Sequence, residues 1–243
     1  MIDIHAHLLP EVDDGADSIE ETLRLARAAV KEGITHTVLT PHHNLNWFIN
    51  EKDKVIKLTE MVQKEIEAAG IPLTVSPSQE IRMNEEFAEE ILAGNYLPLD
   101  QKGKYYLVEF SWNEFPDFAR SYLKQMLDAG MIPIIAHPER QNPFIKNIDL
   151  LRELIDMGCL SQVTASSITG GYTRRIRRAA KKMMKENLIH VIASDTHHHV
   201  KRPHNMVEAL RIIDKKFSPE YKDYLVNNAT KIYNSEEIQP FHK

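Results

Sequence analysis

The feature of this 243-residue chain that most limits its fold is an alternation of short apolar runs with longer amphipathic ones. Gly33, Gly70, Gly130 and Gly158 each stand where a helical pattern ends before the next apolar run, which is a common position for glycine. Alternation of this kind predicts a parallel sheet with helical crossovers. Strands are predicted at residues 1–7, 34–39, 73–78, 105–108, 131–136, 159–164 and 188–193.

The helical patterns also carry start signals. Asp17 or Ser18 can cap the first helix, and Ser18 with Glu21 has the spacing of a capping box. Helices are predicted near residues 18–32, 55–69, 84–94, 117–129, 148–157, 173–186, 203–216 and 219–234.

Histidines and carboxylates recur where the predicted strands end. His5 and His7 are two apart, so in a strand their side chains share one face and could hold an ion, although two histidines near a terminus could also be merely solvated. Histidines or carboxylates follow six of the seven predicted strands, and this recurrence favours ion binding over solvated side chains. The candidate ligands are His5, His7, Asp14, His42, Glu80, Glu109, His137, Asp195 and His197.

These ligands favour a barrel whose C-terminal rim carries the site. We predict an α/β fold, an irregular (β/α)7 TIM-like barrel, with residues 1–243 forming a single domain. An open doubly wound sheet is the alternative, but no Gly-rich phosphate loop follows the first strand. Imidazole and carboxylate ligands suit Zn, Mn or Fe. Nine exceed the needs of one ion, so two or three ions are expected, with Glu80 best placed to bridge.

Composition excludes several classes of protein. The net charge of −5 argues against a general nucleic-acid binder. We expect no transmembrane segment, no signal peptide and a cytoplasmic location. The single cysteine excludes an internal disulfide, and a thiolate phosphatase would need an arginine six residues after it, where this chain has Ala165. Cys159 is therefore expected to be a small core residue.

Several motifs resemble the polymerase-and-histidinol-phosphatase (PHP) superfamily of metal-dependent phosphoesterases. The chain is more closely similar to the bacterial protein-tyrosine phosphatases of capsule and exopolysaccharide gene clusters in Gram-positive organisms. The segments that carry the resemblance are His5-Ala6-His7, Asp13-Asp14-Gly15, Thr40-Pro41-His42-His43, Gln79-Glu80-Ile81-Arg82, Ile134 through Arg140, Leu160 through Ala165, and Ser194-Asp195-Thr196-His197.

The resemblance implies a PHP-type fold and three ion sites. His5, His7, Glu80 and Asp195 would hold the first ion, Glu80, Glu109 and His137 the second, and Asp14, His42 and His197 the third. It implies manganese, with Fe, Zn or Mg as alternatives.

The implied activity is hydrolysis of phosphotyrosine in a protein, with a bacterial tyrosine kinase that regulates capsule or exopolysaccharide synthesis as the expected partner. A hydroxide bridging the ions would attack the phosphorus in line. Arg140 and Arg202 would bind the phosphate.

Other interpretations stay open. Within the same superfamily, the chain could be a histidinol-phosphate phosphatase or an exonuclease; outside it, a metal-stabilised scaffold that binds a kinase without catalysis. The basic helix 173–186 is either a solvated face or a docking site for an acidic partner or anionic lipid. Trp47 and Phe48 are either an aromatic lid or packing residues. An oligomer is possible.

Overall fold

The computed structural model describes residues 1–44 and 47–241. Within them the chain alternates nine strands with ten α-helices and one 3₁₀ turn. The strands are β1 (Ile2–Ala6), β2 (His36–Leu39), β3 (His42–His43), β4 (Thr74–Pro77), β5 (Glu80–Arg82), β6 (Tyr105–Glu109), β7 (Ile132–Ala136), β8 (Leu160–Thr164) and β9 (Val191–Ala193). The α-helices are α1 (Ile19–Lys31), α2 (Lys52–Ala68), α3 (Phe87–Leu92), α4 (Ala119–Asp128), α5 (Asn142–Lys146), α6 (Ile148–Met157), α7 (Ala165–Thr169), α8 (Arg174–Lys185), α9 (Met206–Lys216) and α10 (Pro219–Tyr233), and the 3₁₀ turn is Pro138–Arg140.

All strand pairings between these elements are parallel, which confirms the predicted α/β class. The strands form a three-stranded sheet, in the order β1-β2-β4, and a six-stranded sheet, in the order β3-β5-β6-β7-β8-β9. The predicted seven-stranded barrel is not confirmed, because the described strands number nine and do not join into one closed sheet.

Two prolines account for the difference in strand count. The predicted strands at 34–39 and 73–78 each continue after a break, as β3 and β5, and Pro41 and Pro77 lie at the breaks. Proline has no N–H to donate to a ladder. Backbone hydrogen bonds still join the two chain segments at the breaks. The N–H of Ser78 donates to Leu39 O at 2.8 Å, and that of Glu80 donates to Pro41 O at 3.1 Å.

The two ends of the sheet system meet at the segment that follows β9. The N–H of Asp195 donates to His5 O, and the N–H of His7 donates to Thr196 O, both at 2.9 Å. The buried carboxylate of Asp3 adds a second link, since it accepts from the N–H of Ser194 at 3.0 Å and from the Ser194 hydroxyl. These bonds hold the C-terminal ends of β1 and β9 side by side.

The helices cover the sheets and bury an apolar core, with α10 packed against β1 and β9. Ser18 caps α1 as predicted, accepting from Glu21 N–H at 3.2 Å. The reciprocal half of the capping box does not form, because the Glu21 carboxylate instead accepts from His199. Across the described residues, no helix is both long and apolar enough to cross a membrane.

Candidate metal centre

The structure brings all nine candidate ligands to the C-terminal ends of the parallel strands. Their side chains are largely buried, apart from those of Asp14 and His42. His5 lies in β1, His7 and Asp14 follow β1, His42 and Glu80 begin β3 and β5, Glu109 ends β6, His137 follows β7, and Asp195 and His197 follow β9.

The first group consists of His5, His7, Glu80 and Asp195. The Nε2 atoms of His5 and His7 lie 3.1 Å apart. Both face Glu80 Oε2, at 3.2 Å and 3.4 Å, and both face Asp195 Oδ1, at 3.6 Å and 3.5 Å. Residues 5 and 195 thus contribute donor atoms to the same point in space.

The second group surrounds the same glutamate. His137 Nε2 lies 2.7 Å from Glu80 Oε1 and 3.9 Å from Glu109 Oε1. On the other side, His42 Nδ1 lies 2.9 Å from Glu80 Oε2 and 3.9 Å from Glu109 Oε2. Glu80 therefore contacts ligand-type atoms of both groups, as its middle place in the sequence suggested.

The third group lies nearest the solvent. Asp14 Oδ1 is 3.3 Å from His42 Nε2 and 3.3 Å from His197 Nε2. The ring of His197 stacks on that of His7 with 3.8 Å between centroids, so the third group adjoins the first.

Two residues that the sequence did not single out orient the imidazoles. His7 Nδ1 lies 2.8 Å from Asp13 Oδ2, and His5 Nδ1 lies 2.9 Å from Gln162 Oε1. Asp13 also accepts from the backbone N–H of His42 and of Gly15, both at 2.9 Å. Acceptors at Nδ1 place the ring proton there and leave the Nε2 lone pair directed into the site.

The donor atoms fit cations. His197 Nδ1 lies 3.0 Å from the carbonyl oxygen of Asp195, while its buried Nε2 has no hydrogen-bond partner among the described residues. Its lone pair is therefore directed at the space beside Asp14 without a proton donor to satisfy it. Imidazole nitrogens and carboxylate oxygens in this arrangement are the donor set of first-row divalent metals.

The electrostatics of the cluster also favour added positive charge. Burial, and after it the neighbouring Glu80 carboxylate, raises the pKa of Glu109 to about 7. Burial disfavours the charged form of His7, yet the Asp13 and Glu80 carboxylates together raise the pKa of His7 to about 9. Burial likewise opposes ionisation of Asp195, but the Arg140 guanidinium and the nearby imidazoles hold the pKa of that carboxyl well below its usual range.

Both predicted arginines reach the site. Arg140 is buried and pairs with Asp195, and its guanidinium lies 4.8 Å from the ring centroid of Trp112 and 4.9 Å from that of Tyr172. Arg202 Nη1 lies 3.1 Å from Asp14 Oδ2, and its Nη2 lies 3.3 Å from Asp195 Oδ1.

A third arginine, Arg82, was not predicted. It pairs with Glu109 at 3.0 Å and donates to the carbonyl oxygen of Phe110 at 3.1 Å. Only its place in Glu80-Ile81-Arg82, two residues after a ligand, pointed to it.

A cavity of about 260 Å³ opens over these groups. Its wall includes Trp47, Phe48 and Trp112. Phe48 stacks on His42 with 6.0 Å between centroids, whereas Trp47 is 81% exposed. A larger cavity, about 560 Å³, lies beside Met184 and Tyr221 and contains none of the candidate ligands, so its size does not make it the reactive site.

Cys159 plays no part in this centre. The residue is buried in the apolar core, and burial raises the pKa of its thiol to about 12. A thiol in that state does not supply a nucleophile at neutral pH.

Comparison with known proteins places this geometry in a family. Residues 1–234 match the family model for capsular polysaccharide synthesis proteins, CpsB/CapC. The chain is 36% identical over 238 residues to the tyrosine-protein phosphatase YwqE of Bacillus subtilis, covering 98% of this chain and 93% of that protein. It is 39% identical over 239 residues to the putative tyrosine-protein phosphatase CapC of Staphylococcus aureus, covering 96% and 92%.

A solved structure agrees over the whole length. A chain from the crystal structures of YwqE of Bacillus subtilis and CpsB of Streptococcus pneumoniae, described as unique metal-dependent tyrosine phosphatases, superposes with a TM-score of 0.95 at 35% identity, covering 100% of both chains.

Proposed function

This chain belongs to the CpsB/CapC family of capsular polysaccharide synthesis proteins, and on that premise we propose that it is a metal-dependent protein-tyrosine phosphatase. The observation that carries the proposal is the convergence of the nine candidate ligands beneath a cavity that three arginines also line. This arrangement provides anionic ligands for metal ions and cationic groups for a phosphate ester.

We assign the nine ligands to three ions. His5, His7, Glu80 and Asp195 would hold the first, Glu80, Glu109 and His137 the second, and Asp14, His42 and His197 the third. The distances within the three groups support the assignment. Manganese is the proposed metal. When bound, the ions supply an acidified water as nucleophile and neutralise charge on the phosphoryl group.

The chain's own residues position the substrate. Arg140 and Arg202 are placed to bind phosphate oxygens, and a guanidinium can clamp two such oxygens at once. The rings of Trp112 and Tyr172 both contact the Arg140 guanidinium, and these contacts restrict its position before substrate arrives. The leaving tyrosine has an ordinary pKa of about 10, so it departs more readily than an alkoxide.

The substrate is proposed to be a phosphotyrosine protein, with a bacterial tyrosine kinase of the capsule cluster as partner. A cytoplasmic location belongs to the same proposal, because tyrosine kinases draw on cytoplasmic ATP.

The test is metal analysis combined with activity. The enzyme should hydrolyse a phosphotyrosine peptide faster than histidinol phosphate or single-stranded DNA, lose that activity on chelation, and regain it with Mn²⁺. Activity that survives complete metal removal would contradict the proposal, and a preference for histidinol phosphate or DNA would reassign the substrate.

The role of Arg140 is tested by Arg140→Ala. Loss of one preorganised charge donor should lower kcat/KM roughly a hundredfold, while metal content stays unchanged. Loss of metal from the variant would show that Arg140 supports the ligands instead of the substrate.

A further inference from the structure

Helix α8 carries a row of like charges that its own fold does not neutralise. Seven of its twelve residues are Arg or Lys, and its first turn contains no acidic residue. Four exposed cations form one stripe at helical spacing, which we call the cationic stripe: Arg174, Arg178, Lys182 and Lys185.

This arrangement opposes helix formation. Like charges four residues apart on a helix repel, and cations at a helix N-terminus oppose the macrodipole. The acidic residue at the end of the helix, Glu186, is already paired with Arg152. Within residues 1–44 and 47–241, no stripe residue forms an ion pair. The stripe is therefore a solvent-facing surface whose charge is available to a partner.

A neighbouring helix extends the charge. Burial, followed by the nearby cations Lys216, Arg177 and Lys185, lowers the pKa of Lys181. Lys216 ends α9, so cations from two helices crowd one surface although the whole chain has a net charge of −5.

The stripe begins beside the catalytic cavity. Tyr172 contacts the Arg140 guanidinium, and the next residue, Thr173, caps α8 with its side chain. Helix α8 also packs against the 3₁₀ turn that carries Arg140. The first turn of α8 is therefore within reach of a polypeptide whose phosphotyrosine occupies the cavity.

We propose that the cationic stripe is a docking site for an acidic segment of the substrate polypeptide that flanks the phosphotyrosine. The inference rests on the proposed function and adds to it the charge of the preferred substrate. From Arg174 to Lys185 the stripe runs about 16 Å, which an extended peptide of about five residues would span. Carboxylates or further phosphates spaced along such a segment would meet the stripe one after another.

An acidic peptide fits this face better than a bilayer does. The apolar side of α8, with Ala180, Met183 and Met184, is buried inside the protein. The exposed large apolar side chains of the described residues all lie on other elements. To a membrane, the helix would therefore present only charge and no apolar side chain that could insert. To an acidic substrate segment, it presents the same charge next to the cavity.

The experiment compares two phosphotyrosine peptides, one with aspartates on both sides of the phosphotyrosine and one with serines in their place. The variant is Arg178→Glu/Lys182→Glu, and the matched control is Lys57→Glu/Lys64→Glu on the exposed face of α2, which changes the net charge equally. The variant should lose roughly tenfold or more in kcat/KM on the aspartate peptide. Its rate on p-nitrophenyl phosphate and its metal content should match wild type.

Salt dependence and direct binding complete the test. The wild-type preference for the aspartate peptide should shrink towards one as NaCl rises from about 0.05 M to about 0.5 M. A non-phosphorylated aspartate peptide should bind wild type more tightly than the stripe variant, as read by fluorescence anisotropy. Arg178→Gln/Lys182→Gln should show a smaller loss in the same direction, and it guards against misfolding of the charge-reversed protein.

Several outcomes would overturn the inference. These are equal losses on both peptides, an equal loss in the α2 control, or an unchanged peptide preference accompanied by lost binding to phosphatidylglycerol vesicles, which would identify a lipid surface instead. Absence of wild-type turnover on every phosphotyrosine peptide would instead refute the proposed function, and the binding arm would still report on the stripe.

Discussion

Asp13 is the residue whose substitution tests most sharply how the metal centre is preorganised. Its buried carboxylate lies 2.8 Å from His7 Nδ1 and accepts two backbone N–H groups. Although burial opposes its ionisation, the imidazoles of His7, His42 and His197 lower the pKa of Asp13 to about 2, so it is charged at neutral pH. In Asp13→Asn one oxygen becomes an NH₂ group, which must face either His7 Nδ1–H or the N–H of Gly15.

The magnitude follows from that mismatch. A buried donor left unsatisfied costs about 1–3 kcal/mol, and losing a partner that orients a metal-ligating histidine weakens metal affinity about tenfold to a hundredfold. A hundredfold corresponds to about 2.7 kcal/mol. We therefore expect the dissociation constant of Asp13→Asn for Mn²⁺, measured by equilibrium dialysis, to rise about tenfold to a hundredfold. Saturating Mn²⁺ should restore most of the activity.

The matched control is Asp17→Asn in the same loop. The exposed Asp17 side chain accepts from the Ser18 hydroxyl at 3.0 Å and contacts no ligand, so Mn²⁺ affinity should not change. The reasoning would be refuted by an unchanged Mn²⁺ affinity in Asp13→Asn, or by an equal loss in Asp17→Asn.

Two further substitutions probe the loop and the core. In Gly15→Ala the added Cβ would lie 2.5 Å from the carbonyl oxygen of His7, so the loop must move away. Mn²⁺ affinity should then fall at least about tenfold. An unchanged dissociation constant for Mn²⁺ in equilibrium dialysis would show that the loop tolerates the shift. Burial lowers the pKa of His190 to about 4 from an ordinary 6.5, so the folded state keeps this ring neutral. The neutral His190 ring therefore favours the folded state fully above pH 6.5. That stabilisation is lost as pH falls towards 4, by up to about 3 kcal/mol. His190→Asn should therefore flatten the dependence of unfolding free energy on pH between those values, as measured by urea denaturation of the metal-free protein; parallel slopes would contradict this.

The elements were predictable where local signals agreed. Helix α6 spans Ile148–Met157 as predicted, because its apolar period and Gly158 mark the same boundaries. Strand β9 is shorter than the predicted 188–193, since Leu188 and Ile189 pack in the core without joining the ladder. A run of apolar residues predicts that the segment is buried, but whether its backbone pairs in a sheet depends on the neighbouring strand. The short helices α5 and α7 were missed because five residues are too few to show a helical period.

The site was more predictable than the strand count. Its candidate ligands lie at or after the ends of the predicted strands, so recurrence along the sequence became proximity in space, with Glu80 contacting both His5 and His137. The sequence did not predict that Asp13 and Gln162 orient the imidazoles, because this role depends on which ring nitrogen each side chain faces. Such a detail is set by side-chain positions that spacing alone does not determine.

The bonds that join β1 to the segment after β9 also set the order of events during synthesis. The partners of His5, Glu80 and Asp195, are made about 75 and 190 residues after it. Contacts so distant in sequence form late in folding. A growing chain thus carries the His-Ala-His segment without Asp195 until about 190 further residues have been made. Metal loading is therefore expected to follow the synthesis of Asp195, as the step that locks β1 to the segment after β9.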